Sequence, residues 1–128
     1  MTATGSGYLV PEPPLVAPNA EVVEHDAGAT LTVASFAKIH TNTGDSDSQE
    51  LTLPAAEDAA GMSLKVQLTV AADVVLVPAS GEEIFLGGSG TADEKLTIAG
   101  VIGNYADIYS DGERYQVFDY SGVVTKST

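Results

Sequence analysis

The chain contains no cysteine, no tryptophan and only five basic residues among its 128. Without cysteine, disulfides and thiolate metal sites are excluded. The bases, Lys38, Lys65, Lys95, Arg114 and Lys126, stand singly along the chain. Nucleic-acid binding needs clustered Lys or Arg to displace counterions from phosphates, and the sequence has no such cluster. Docking on an anionic membrane surface is disfavoured on the same ground. No apolar run reaches the roughly 18 residues of a membrane span. No basic stretch followed by an apolar run opens the sequence. The expectation is a chain made in the cytosol without a secretion signal, with neither nucleic acid nor membrane as partner.

Acids dominate instead: 18 Asp and Glu give a net charge of −13. A solvated acidic surface that keeps the molecule soluble accounts for most of them. A sharper reading has one acidic face meeting a basic partner, and the sequence does not locate that face. The hydrophobic fraction of 44% is ordinary for a folded chain. A chain of this length forms one domain that buries about two thirds of its unfolded surface.

The chain divides into residues 1–28 and residues 29–128. The first region, with GYLVPEPPLVAPNA, holds Pro11, Pro13, Pro14 and Pro18. Proline fixes φ, removes a donor and biases its predecessor toward extended backbone, so an extended arm is expected. Its apolar residues Tyr8, Leu9, Val10, Leu15 and Val16 are unusual for a flexible linker, which favours Gly and Ser. They are the candidate partner-binding residues, suited to a groove on the body, on a sister subunit or on another protein.

From Ala29 onward the pattern is β. ATLTV, FAKIH, ELTL, DVVLVP and EEIFL are short strand-like runs. SLKVQLTV alternates most clearly, with Leu64, Val66, Leu68 and Val70 on one side. Asp111-Gly112 lies between alternating runs and predicts a tight hairpin turn with Ala106, Ile108, Tyr115 and Val117 on the buried side. Pro54 ends one strand, Ala-Glu-Asp-Ala-Ala forms a connection, and Gly61 permits re-entry. The expected class is all-β: a compact antiparallel sandwich or barrel-like module behind an extended N-terminal arm.

Candidate chemistry is sparse. Asp45, Asp47 and Glu50 in TNTGDSDSQE offer hard oxygen ligands, but their spacing does not match a calcium-binding loop. They are weak metal candidates, and no metal or cofactor is assigned. An acid–base couple of His40 with Asp45 or Asp47 is one reading, but alternation along the strand has His40 end it at the surface instead. His25 falls in the arm or at its junction. Neighbouring carboxylates such as Glu57-Asp58, Glu82-Glu83 and Asp93-Glu94 sit in turns and do not converge across a cleft. No nucleophile motif or phosphate cradle surrounds any serine or glycine. The chain is not expected to be an enzyme.

The order KIHTNTG, ELTLPAAEDAAGMSLKVQL, DVVLVPASGEEIFLGG, ADIYSDGERYQVF resembles a β module of tailed-phage virion proteins. The matching positions are Thr52, Leu53, Pro54, Ala55, Ala56 and Gly61, then Pro78, Gly81 and Ile84. Ser110, Asp111, Gly112, Tyr115 and Val117 complete the set, with Tyr115 where that family often has tryptophan. The resemblance spans roughly residues 29–120 and implies a virion component, often assembled as a homotrimer. A short arm plus one such module fits a head decoration, or cement, protein. That reading implies the major capsid protein as partner, the outer head surface as location, and stabilisation of the mature shell. The alternative it implies is a tail-fibre or head-fibre domain that binds a host-surface glycan or protein, using Tyr105, Tyr109 and Tyr120.

Overall fold

A computed structural model describes residues 20–121 and 124–127 of the chain. Eleven strands form it: β1 (Val22–Glu24), β2 (Ala29–Thr30), β3 (Ile39–Thr41), β4 (Gln49–Thr52), β5 (Ser63–Gln67), β6 (Val74–Val77), β7 (Ile84–Phe85), β8 (Lys95–Ile98), β9 (Tyr105–Ser110), β10 (Tyr115–Tyr120) and β11 (Val124–Ser127). They make a six-stranded sheet, β1-β3-β5-β9-β10-β7, and a five-stranded sheet, β11-β8-β6-β4-β2. Among the described residues there is no α-helix, only two short 3-10 segments at Val33–Ser35 and Ala56–Ala59. The protein is all-β.

The sheets are mixed, which corrects the antiparallel expectation. Through β9 the chain alternates between layers, odd-numbered strands in one sheet and even-numbered strands in the other. Each return to a sheet up to β9 therefore follows a passage through the opposite layer, and the early crossovers deliver parallel neighbours, whereas β6 and β8 pair antiparallel. Thus β1–β3 and β3–β5 are parallel in one sheet, and β2–β4 and β4–β6 are parallel in the other. Only β9 and β10 pair as sequence neighbours, in an antiparallel hairpin.

Both layers bury their inner faces in one core. Leu51, Leu76, Leu96 and Ile98 of the smaller sheet join Leu64, Val66, Ile108 and Tyr115 of the larger. Each fully buried aliphatic side chain contributes about 1.5–3 kcal/mol relative to exposure. This shared core, made by alternation along β8, β9 and β5 from Leu64 onward, sets which residues face outward.

Two local expectations change. The hairpin loop spans residues 111–114, because Tyr115 pairs with Ser110 and the Asp111 N–H donates to the Arg114 carbonyl at 3.0 Å. Asp111 Oδ1 accepts from the N–H groups of Glu113 and Arg114, both at 2.9 Å, so its side chain replaces the tight turn. The turn with two successive positive φ angles falls instead at Gly87 and Gly88, φ 66° and 86°.

The alternating run SLKVQLTV also stops early, at Gln67. Buried Asn42 takes over the backbone beyond it. Its Oδ1 accepts from the Thr69 and Val70 N–H groups at 2.9 and 3.1 Å. Its Nδ2 donates to the Val70 and Ala72 carbonyls at 3.1 and 3.2 Å. One side-chain amide therefore does the work of a neighbouring strand and turns the chain away.

Candidate interaction surface

The arm candidates Tyr8, Leu9, Val10, Leu15 and Val16 lie outside the described residues. The later part of the region expected as an arm belongs to the body. Val22–Glu24 pair with Ile39–Thr41 as the edge strand of the larger sheet. The Val22-Val23-Glu24 run has the β-branched character that a ladder accommodates.

Asp45, Asp47 and Glu50 are not brought together as a ligand set. Asp45 is occupied by the Asp47 N–H and by Gln49 Nε2, both at 2.9 Å. Glu50 pairs with Lys95 at 3.2 Å. Among the described residues no group of three or more His, Asp or Glu side chains could hold a metal ion.

His40 does not end at the surface; it is buried, with 1% exposure. It shares the inner parity of Val66, its register partner on β5. Its Nε2–H donates to the Ser35 carbonyl at 2.7 Å, leaving Nδ1 to accept from His25 Nε2–H at 2.8 Å. Neither Asp45 nor Asp47 pairs with it. Burial lowers the pKa of both imidazoles; Asp26 opposes this at His25, and the Ser35 hydrogen bond opposes it at His40.

The residues that carry the virion-module resemblance meet in space. The Tyr115 hydroxyl donates to the Pro54 carbonyl at 2.9 Å. The Ser110 hydroxyl donates to the Ala56 carbonyl at 2.5 Å, and the Gly61 N–H donates to the Ser110 carbonyl at 2.7 Å. Gly61 enters β5 with φ 80°, a backbone conformation that glycine tolerates best. The connection after Pro54 and the start of the terminal hairpin thus form one interlocked unit.

The most distinctive exposed surface is the outer face of β5, β9 and β10. Alternation places Lys65 and Gln67 of β5 beside Asp107 and Tyr105 of β9, in direct register. On β10 the register shifts between Val117 and Asp119, a bulge that sets Asp119 opposite Asp107. The bulge leaves Phe118 56% exposed, with its ring 5.6 Å from that of Tyr109 and tilted by 57°. Lys65 Nζ lies 4.3 Å above the Tyr105 ring and 4.0 Å from Asp107. The Tyr105 hydroxyl donates to Asp119 at 3.2 Å. Burial raises the Asp107 pKa, Lys65 offsets part of that effect, and Asp119 adds to it.

Of the tyrosines expected to form a binding surface, Tyr105 and Tyr109 share this face. Tyr120 does not, because beyond the bulge it falls opposite Ala106, whose side chain points inward. Simple alternation from Tyr115 already places Phe118 outward; the inserted residue is what brings Asp119 onto this face, and no sequence marker announces it. The fold and this face define the chain as a two-layer, mixed-sheet β protein with an aromatic and acidic outer surface. No protein-family model matches the chain, and no curated protein matches it in sequence.

Proposed function

We propose that this chain is a non-enzymatic structural protein of a tailed-phage virion, a decoration protein that binds the outer head surface and stabilises the mature shell. The observation that supports this reading best is the interlock of the resemblance motifs. Their key contacts join positions 61 and 54 residues apart in sequence, so the matching residues act as one packed unit. In this reading the major capsid protein is the partner and the body works as a homotrimer. The segment with Tyr8, Leu9, Val10, Leu15 and Val16 engages the capsid or a sister subunit.

Physical features of the body are compatible with assembly. Short strands β1, β7, β2 and β11 are the sheet edges, and oligomerisation or partner pairing covers such edges. Linked arms in a trimer would bind through effective concentration, even where one arm is weak. The net charge of −13 would keep coated particles apart.

The test compares the full chain with one lacking residues 1–19, using light scattering and co-sedimentation with purified mature heads of the parent phage. The full chain is expected to have a trimer mass, saturate the heads and raise the temperature at which they rupture. The shortened chain is expected to keep its β circular-dichroism spectrum and lose head binding. Heads that bind neither form would overturn the reading. The fibre-domain alternative is favoured by the half-buried rings of Tyr105 and Tyr109 beside the exposed ring of Phe118 and predicts retention on a glycan array instead.

A further inference from the structure

We infer that the outer face of β5, β9 and β10 docks a cationic segment of a partner protein, with an arginine or lysine head group held by Tyr109, Phe118, Asp107 and Asp119. The inference goes beyond the decoration reading and does not require the partner to be a capsid protein.

The face already shows what it attracts. Aromatic ring faces carry negative electrostatic potential, and this surface seats the chain's own cations on two of them. Lys65 lies over Tyr105 at 4.3 Å, and Arg114 lies over Phe85 at 4.7 Å on the neighbouring edge. Those cations are committed elsewhere as well. Arg114 is shared among Glu83, Asp111 and Glu113, and Lys65 alone approaches the carboxylate pair. Among the described residues no Lys or Arg pairs with Asp119, whose hydrogen bond comes from Tyr105.

Among the described residues the face therefore keeps two opposed carboxylates with one nearby cation, beside two rings that have none. Like charges directly across a strand pair are destabilising, and an incoming cation would relieve that repulsion. The bulge holds Phe118 outward against Tyr109, which makes a tilted aromatic corner next to the carboxylates. A guanidinium suits this arrangement best, since it stacks on a ring and forks onto a carboxylate.

Charge complementarity selects this occupant over others. Phosphates and acidic segments meet Asp107 and Asp119 unfavourably. A neutral sugar would use the rings and leave the carboxylates uncompensated. A second copy would bring another net charge of −13 to the face.

The experiment titrates the isotope-labelled full chain with a hexa-arginine peptide and follows amide shifts by NMR. Shifts are expected to centre on Lys65, Tyr105–Tyr109 and Gln116–Tyr120. The D107N/D119N double variant and F118A are each expected to weaken binding by roughly tenfold, the scale of one charge-assisted contact. The charge-matched E57Q/D58N variant, altered at exposed positions of the connection after Pro54, is expected to bind as the parent does. Equal weakening by both double variants would reduce the effect to bulk charge and overturn the site. Concentration-dependent self-association lost in F118A would assign the face to a second copy. Shifts there with neutral oligosaccharides and none with hexa-arginine would assign it to a sugar.

Discussion

The Tyr115 hydroxyl donates to the Pro54 carbonyl across a gap of 61 residues, at 2.9 Å. The ring is fully buried and stacks on Phe36, with centroids 6.2 Å apart. Burial, assisted by Glu82 and Asp58, pushes the hydroxyl's pKa well above its ordinary value, so it remains a donor at neutral pH. Tyr115→Phe keeps the ring and strands the carbonyl, so it is expected to cost about 1–2 kcal/mol. Tyr115→Ala also opens a cavity and should cost about 3–5 kcal/mol. Urea unfolding measures both. An unchanged midpoint for Tyr115→Phe would mean that water satisfies Pro54 equally well.

Asn42 offers a second stability test. Its amide satisfies two N–H groups and two carbonyls of residues 69–72. Asn42→Ala is expected to cost about 2–3 kcal/mol, because stranding even one or two such groups costs roughly 1–3 kcal/mol each. Asn42→Asp keeps one acceptor but sets a second carboxylate oxygen against the Val70 and Ala72 carbonyls in a buried site, so it should cost at least as much as the alanine variant. Hydrogen exchange at Thr69 and Val70 should accelerate most in Asn42→Ala. Exchange that instead accelerates evenly through β5 would show a general loss of packing.

Why Asn42 escaped a sequence reading is physically plain. It sits in a polar Thr-Asn-Thr-Gly run whose composition marks a loop, whereas its action depends on a backbone 27 to 30 residues away. Local alternation did reveal the all-β class, the buried Leu64, Val66, Ile108 and Tyr115, and the outward Tyr105 and Tyr109. It could not reveal parallel pairing, because the same strand pattern suits either direction and the crossings run through the other layer. Likewise, the bulge at Phe118 breaks period two without leaving a proline or glycine marker, so the outer face was read one residue out of place at Tyr120.

Asp119 provides a test in which stability should rise. It opposes Asp107 across the strand pair and has Tyr105 as its hydrogen-bond donor. Asp119→Asn removes the like-charge contact while its side-chain oxygen still accepts from Tyr105. The variant is expected to gain about 0.3–1 kcal/mol at neutral pH, in line with cross-strand pair energies. NMR titration should show the Asp107 pKa falling toward its ordinary value, because one of its raising influences is gone. A stability loss would mean that the charged Asp119 supports the hairpin.

The His25–His40 pair ties the β1 end of the chain to the core and should make stability depend on pH. Ser35 accepts from His40 Nε2–H, so His40 Nδ1 must accept from His25 Nε2–H. A single added proton leaves a donor and an acceptor between the rings, but two put N–H against N–H. Lys38 and His25 further disfavour protonation of His40, Glu21 favours it, and Asp26 favours protonation of His25. Both folded pKa values lie below the ordinary 6.5, so the unfolded chain binds protons first. The stabilisation is therefore complete above about pH 6.5 and is lost as pH falls from there to the folded values. Its slope can reach about 1.36 kcal/mol per pH unit for each histidine. Unfolding free energies between neutral pH and the onset of carboxylate titration should fall in the parent and stay nearly level in H25Q/H40Q. Amide exchange at Val22–Glu24 should quicken over the same range, since among the described residues they ladder only onto β3. A slope that survives the double substitution would assign the acid sensitivity to carboxylates elsewhere.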